Sequence, residues 1–573
     1  MITYQLRIPQ PHTHYAEVEA TFPAAGRDTI ELMLPVWTPG SYLLREYARH
    51  LDSFHAASGW RKISKNRWRI PTLGRDTVTV AYRVYGHELS VRTNWIEHQF
   101  ALIVPAATFL TLPDLLHEPH IVDLALPPHW RGAWTGLPEI APHTFRAENF
   151  DQLIDCPFYL GSPAVQEFQV EGKQHLLVNE GESGSWLGPA AAEAAECTHR
   201  IVEQYQRMMG GLPYHRYVFI NLIVESGGGL EHANSTVLMT SRWAWGNTDT
   251  PKPDPREKAK PSRHSWLDLV SHEFFHTWNV KRLRPLELGP FDYENENYTT
   301  SLWFAEGVTT YYGPLMVRRA GLISDEALLA DLSRTISLVQ TTPGRLLQPL
   351  SASSFDTWIK LYRPHENSAN VNISYYTKGC LVAWLLDVRL RRATGNQRSL
   401  DSLMRLAYGR FPNGYAPVQI FALCDEVAGR PVNARALVEE AGELDYSEAL
   451  EWFGLRFAPA PEAKPWLGVI TKNDQGRLLI ESVITNSPAA QAGLNAGDEL
   501  LAVDRFRPGS DSLEQILGAV REPETSVLIA RRGRVLELSV SLSPEPRRIW
   551  QLEPDPQATE LQRTRYASWL QSL

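Results

Sequence analysis

The stretch His272-Glu273-Phe274-Phe275-His276, inside Trp266-Leu267-Asp268-Leu269-Val270-Ser271-His272-Glu273-Phe274-Phe275-His276-Thr277-Trp278, constrains the chain more than any other. Histidines four positions apart project from one face of an α-helix, about one turn apart, so both imidazoles can reach a single metal ion. Glu273 then lies beside the ion rather than on it, where a carboxylate can take a proton from water. The apolar flanks predict a buried helix, and a dry setting strengthens the electrostatics of ligation.

A third ligand is required, because catalytic zinc sites hold three protein ligands and leave one position for water. Glu306, 30 residues beyond His276, sits in the apolar run Leu302-Trp303-Phe304-Ala305-Glu306-Gly307-Val308. A carboxylate among such neighbours is costly unless it is paired or bound to a metal. His272, His276 and Glu306 are therefore the expected ligands of one Zn²⁺ per chain, with Glu273 as the general base.

The H-E-x-x-H helix followed by a glutamate in a W-x-x-E-G context resembles the gluzincin metallopeptidases, the thermolysin-like group that includes alanyl-type aminopeptidases. Further runs narrow the resemblance to glycyl aminopeptidases with a C-terminal PDZ domain: Leu34-Pro35-Val36-Trp37-Thr38-Pro39-Gly40-Ser41-Tyr42, Gly227-Gly228-Gly229-Leu230-Glu231-His232, His276-Thr277-Trp278-Asn279-Val280-Lys281-Arg282 and Tyr375-Tyr376-Thr377-Lys378-Gly379. The resemblance covers nearly the whole chain.

It implies further roles. An enzyme that cleaves only at the amino end must hold the free α-ammonium, and Glu231 matches the glutamate of the G-x-M-E-N exopeptidase motif, with Gly228 and Gly229 giving the backbone close approach to a ligand. His232 stands where that motif has asparagine. Tyr376 matches the tyrosine whose hydroxyl donates to the oxyanion in the Y-E-K-G motif, although Tyr375 is adjacent and either could face the metal. The implied activity is zinc-dependent hydrolysis of the N-terminal peptide bond, with a preference for small residues such as Gly and Ala. The competing expectations are an endopeptidase of the same fold and a PDZ-based adaptor with a vestigial peptidase. Position 310, four beyond Glu306, is threonine where thermolysin-like enzymes place aspartate, so no partner for the zinc histidines can be picked.

A chain of 573 residues is too long for one core. Residues 1–165 read as an all-β, sandwich-like domain of short alternating runs broken by turns. Residues 166–460 read as a thermolysin-like α+β catalytic domain. The proline-rich segment Pro459-Ala460-Pro461-Glu462-Ala463-Lys464-Pro465 is a linker. Residues 465–545 resemble a bacterial-type PDZ domain of mixed α/β structure, in which Leu467, Gly468 and Val469 would offer a strand edge to a peptide C-terminus. Residues 546–573, with Leu561, Tyr566, Trp569, Leu570 and Leu573 at helical spacing, form a tail expected to dock back on the body. Trp37-Thr38-Pro39-Gly40-Ser41-Tyr42 is a rigid aromatic turn expected either to pack on the catalytic domain or to meet substrate. The proline- and lysine-rich stretch 248–262 reads as a rim or lid over the cleft, or as plain disorder.

A formal charge of −9 gives no electrostatic footprint for nucleic acid or an anionic membrane. Four scattered cysteines without a C-x-x-C pair fit a reducing compartment. No bilayer-spanning stretch and no signal-peptide pattern at Met1 is seen, so a cytoplasmic location is expected.

Overall fold

The computed structural model describes residues 1–181, 184–186, 188–257, 260–509, 512–522 and 524–571; Leu573 and residues 258–259 of the proline-rich stretch lie outside the described residues. The N-terminal part is β-rich, as its alternating pattern predicts. A seven-stranded sheet, in which Tyr15–Pro23 pairs with Ile2–Arg7 on one side and Thr77–Tyr85 on the other, is joined by a four-stranded and a three-stranded sheet.

The catalytic part begins with a five-stranded sheet in the spatial order Ala164–Val170, Lys173–Gly181, Arg216–Ile223, Ser235–Thr240, Gly228–Glu231. Its central strand is buried on both faces and uses the period of two to serve two cores. Val218, Ile220 and Leu222 join the N-terminal core. Tyr217 and Phe219 join the helical core with Phe274 of the H-E-x-x-H helix. The strand Gly228–Glu231 forms one edge of this sheet, antiparallel to Ser235–Thr240.

The H-E-x-x-H helix spans Arg263–Phe275, capped by a reciprocal Ser262–Ser265 box that satisfies amides at its start. Three further contacts fix its rotation. Trp266 Nε1 donates to Asn221 Oδ1 on the sheet at 3.0 Å, Ser271 Oγ meets Tyr205 Oη at 3.0 Å, and His264 Nε2 lies 2.7 Å from Asp331.

The aromatic turn packs on the catalytic core. Trp37 and Tyr42 belong to that core, Trp37 meets Trp358 edge-on with ring centroids 5.1 Å apart, and its indole donates to the Asp292 carbonyl. The stretch 248–262 is held rather than free: Arg334 donates to the carbonyls of Lys252 and Asp254, Asp254 pairs with Arg548 at 3.0 Å, and Arg256 pairs with Glu514. Its composition excludes a core of its own, but Arg334 and Arg548 from two other segments, and its own Arg256 reaching Glu514, supply its contacts.

The PDZ part has its own small core and a five-stranded sheet whose edge strand is Val469–Asp474. It touches the catalytic part through Asn370, whose amide donates to the Val483 carbonyl at 2.8 Å and accepts from the Thr485 N–H at 2.9 Å. Among the described residues no helix is long and apolar enough to cross a membrane.

Beyond the PDZ part the chain returns to the helical core. Leu552–Pro554 pairs with Leu455–Phe457, and the helix Glu560–Trp569 buries Trp569, whose Nε1 donates to Tyr311 Oη at 2.8 Å. Tyr311 donates in turn to Asp387, within a buried set that includes Arg391 and the Arg319–Asp401 pair. Trp569→Ala should therefore lower stability by about 3–5 kcal/mol, the usual cost of deleting a buried aromatic; equilibrium urea unfolding of the catalytic part checks this, and a loss under about 1 kcal/mol contradicts the packing role.

Candidate active site

The two expected histidines fall at the end of one helix and face a common point. His272 Nε2 and His276 Nε2 lie 3.2 Å apart, and Glu306 Oε2 lies 3.5 Å from the first and 3.3 Å from the second. An ion bound at about 2.0–2.1 Å in tetrahedral geometry spaces its ligand atoms about 3.3 Å apart, so these three edges fit one small divalent cation. His276 Nδ1 is 2.6 Å from the carbonyl of Asn279. A carbonyl only accepts, so Nδ1 carries a proton and Nε2 is the ring atom left to face a metal.

Glu306 sits on a π-helical turn, Trp303–Gly307, that runs into the helix Val308–Arg319. Such turns insert one residue into a helix and often mark functional sites. The insertion turns the carboxylate into the pocket. The turn packs so closely on Gly379 that a Cβ on Gly307 would come within 2.6 Å of its Cα.

Glu273 is 6 % exposed, and burial raises its carboxyl to about 7 against the lowering pull of His272 and His276. Burial would likewise raise Glu306, but the imidazoles hold it down at about 2. Burial would lower His276, yet Glu306 raises it to about 9.

Glu231 is buried, its Oε1 has no hydrogen-bond partner, and it comes within 4.8 Å of the ligand-type atoms of Glu273 and His276. It forms one wall of a cavity of about 200 Å³ that Trp37, Gly40, Tyr42, Lys281 and Phe291 also line. Gly40 stands directly against this carboxylate; a Cβ there would be 2.5 Å from Oε1, and its φ of +88° also favours glycine.

The glycine run behaves differently from expectation. A Cβ on Gly229 would lie 2.1 Å from Glu273 Oε1, so the missing side chain lets the Glu273 carboxylate approach this strand closely. Gly228, at φ +118°, has open space where its Cβ would be. His232 lies 3.2 Å from Asp155 through Nδ1, and Lys281 completes that cluster with Nζ at 2.7 Å. Burial would raise Asp155, but Lys281 and His232 hold it below the usual carboxylate range.

The neighbouring tyrosines part ways. Tyr375 is fully buried and its hydroxyl meets Thr357 Oγ1 at 3.1 Å. Tyr376 is half-buried, stacks on Tyr375 and brings its ring to 6.5 Å from that of His272. Burial and the charge of Glu306 raise its hydroxyl well above the ordinary phenol range, which keeps it a hydrogen-bond donor. The residue that sequence reasoning passed over is Asn279. It stands in the quoted run His276–Arg282, but only the fold reveals what it touches.

Sequence comparison matches residues 3–162 to the M61 peptidase N-terminal domain, 265–382 to M61 glycyl aminopeptidase and 479–531 to a PDZ domain. Over residues 3–162 and 265–382 the chain is similar to the M61 glycyl aminopeptidases. An aminopeptidase N family protein from Idiomarina loihiensis is 28 % identical, with both chains covered in full and a TM-score of 0.90. Two other solved structures are more distant: an M1 zinc metallopeptidase from Deinococcus radiodurans (14 % identity, 78 % of this chain and 94 % of that one, TM-score 0.47) and yeast LTA4 hydrolase with bestatin (12 %, 78 % and 68 %, 0.45). No curated protein matches the chain by sequence. The H-E-x-x-H motif, Glu306 and Tyr376 of this metallo-aminopeptidase all lie within residues 265–382, the segment matched to the catalytic family.

The charge pattern of the site sets a pH dependence. Without metal, His276 keeps a proton on Nε2 up to about pH 9, and a metal must displace it. Affinity for Zn²⁺ should therefore rise about tenfold per pH unit from pH 7 to near 9 and then level off, as competition titrations against a chelator can follow. A flat profile over that range contradicts the His276–Glu306 pairing.

Proposed function

We propose that this aminopeptidase hydrolyses the first peptide bond of peptides with a free N-terminus, using one Zn²⁺ per chain held by His272, His276 and Glu306, and that it favours small first residues such as Gly and Ala. The observation that carries the exopeptidase reading is Glu231. A buried carboxylate without a hydrogen-bonded partner on Oε1, set within 4.8 Å of the general base, is stabilised by an incoming cation, and a substrate α-ammonium supplies one. The preference for small residues rests on the family description alone.

A bound zinc ion supplies Lewis acidity, polarising the scissile carbonyl and lowering the pKa of water. The chain's own residues do the rest. Glu231 anchors the ammonium and so fixes which bond reaches the site. Glu273, buried against Gly229, takes a proton from the attacking water and returns it to the leaving amine, a role suited to a carboxyl held near neutrality. Tyr376 donates its hydroxyl to the developing oxyanion. The walls contributed by Trp37 and Tyr42 exclude water from the amine end of the cleft. At the PDZ part, Leu467, Gly468 and Val469, with the helix Leu513–Ala519 opposite, are proposed to take a peptide C-terminus.

Glu273→Gln should keep its zinc and lose nearly all turnover, while Tyr376→Phe should lose about 10²–10³ in kcat, the effect of one oxyanion donor. Metal analysis and turnover of Gly- and Ala-anilides test both, and full activity in Glu273→Gln refutes the base. Glu231→Ala should abolish cleavage of free-amine substrates; a wild-type enzyme that cuts N-blocked peptides equally well is an endopeptidase instead. A protein that binds PDZ ligands but turns over neither kind of substrate is an adaptor.

A further inference from the structure

The metal ligands come from two separate elements, the end of the H-E-x-x-H helix and the π-turn, and one fully buried side chain joins them. Asn279 accepts the His276 Nδ1–H on its backbone carbonyl at 2.6 Å. Its side-chain amide donates to the carbonyls of Phe304 at 2.8 Å and Ala305 at 3.3 Å, and lies 3.2 Å from Thr309 Oγ1. Thr309 Oγ1 itself donates to the Ala305 carbonyl at 2.7 Å. The π-turn creates the need for these contacts: the Val308 N–H reaches back five residues to Trp303, not four to Phe304 as in an α-helix. The Phe304 carbonyl is thereby left for a donor from elsewhere.

We propose that Asn279 is the positioning residue that holds Glu306 in register with His276, by stabilising the π-turn through its amide while orienting the imidazole through its carbonyl. Without the amide, the turn can relax to α-helical spacing, which removes the inserted residue and rotates Glu306 away from the histidines by about 100°, one residue's turn. Thr309 supports the neighbouring Ala305 carbonyl, which the Asn279 amide also reaches. Glu306 and the two histidines act as ligands in this account, so it rests on the zinc site proposed above.

The test compares full-length wild type, Asn279→Ala and the isosteric Thr309→Val. Zn²⁺ affinity is measured by competition with a chelator, alongside melting of the metal-free proteins and steady-state kinetics on a Gly-anilide. Asn279→Ala should bind Zn²⁺ about 10–100-fold more weakly, the range for partners that orient a ligand, and its zinc-saturated form should lose kcat more than KM. Thr309→Val should weaken Zn²⁺ by up to about tenfold. A purely structural asparagine would lower the melting point of the metal-free protein and leave the affinity alone; that result overturns the proposal. If Asn279→Ala does not fold, Thr309→Val decides, and an affinity equal to wild type again overturns it. A wild-type protein that binds no Zn²⁺ sinks the ligand assignment itself, a different outcome from wild-type binding matched by both variants.

Discussion

Three carboxylates, Glu231, Glu273 and Glu306, crowd into one dry pocket with two imidazoles, and the rest of the catalytic part exists to hold them there. Two ionised carboxylates within 4.8 Å repel by roughly 3 kcal/mol or more even at an effective dielectric near 20. Burial adds a desolvation cost to each. The free protein answers with protons, on Glu273 up to about pH 7 and on His276 up to about pH 9. A divalent ion and a substrate ammonium offset the same charge more completely. The pocket thus favours the two cations that the proposed reaction would bring to it.

Rigidity around the pocket comes from shared layers. The five-stranded sheet packs the N-terminal core on one face and the H-E-x-x-H helix on the other, so neither part can shift without disturbing both. The N-terminal part also reaches into the site. Gly40 closes on Glu231, and Asp155 is locked by Lys281 and His232 beside it. The cavity beside Glu231 is consequently built across the boundary between the N-terminal part and the part that follows it.

The PDZ part is attached more lightly. Asn370 gives it two hydrogen bonds six residues before Tyr376, and Arg256 bridges the stretch leading into the H-E-x-x-H helix to Glu514 on the PDZ helix. An exposed ion pair of this kind adds little stability, so the tail carries the stronger return contact, through Trp569 and the buried ionic set behind the Glu306 helix.

Much of this was legible in the residues themselves. The spacing of His272 and His276 on a helix, the isolated Glu306 in an apolar run, the β alternation of the N-terminal part and the helical spacing of the tail follow from local periodicity, which the chain carries wherever it folds; the PDZ segment is legible through its resemblance to a known domain. What periodicity cannot encode is contact between distant segments. Sequence reasoning left Tyr375 and Tyr376 as alternatives, assigned Gly229 to a substrate, and treated 248–262 as lid or disorder. The fold engaged Tyr375 with Thr357, set Gly229 against Glu273 and pinned the stretch with arginines. Asn279 is the clearest case: its residue type is readable at once, but the role proposed for it depends on a π-turn 24 to 28 residues away that leaves one carbonyl in need of a donor. The sequence alone determined which side chains could hold a metal; tertiary structure alone decided how they are kept in register, because a hydrogen bond across the fold has no local signature in the chain.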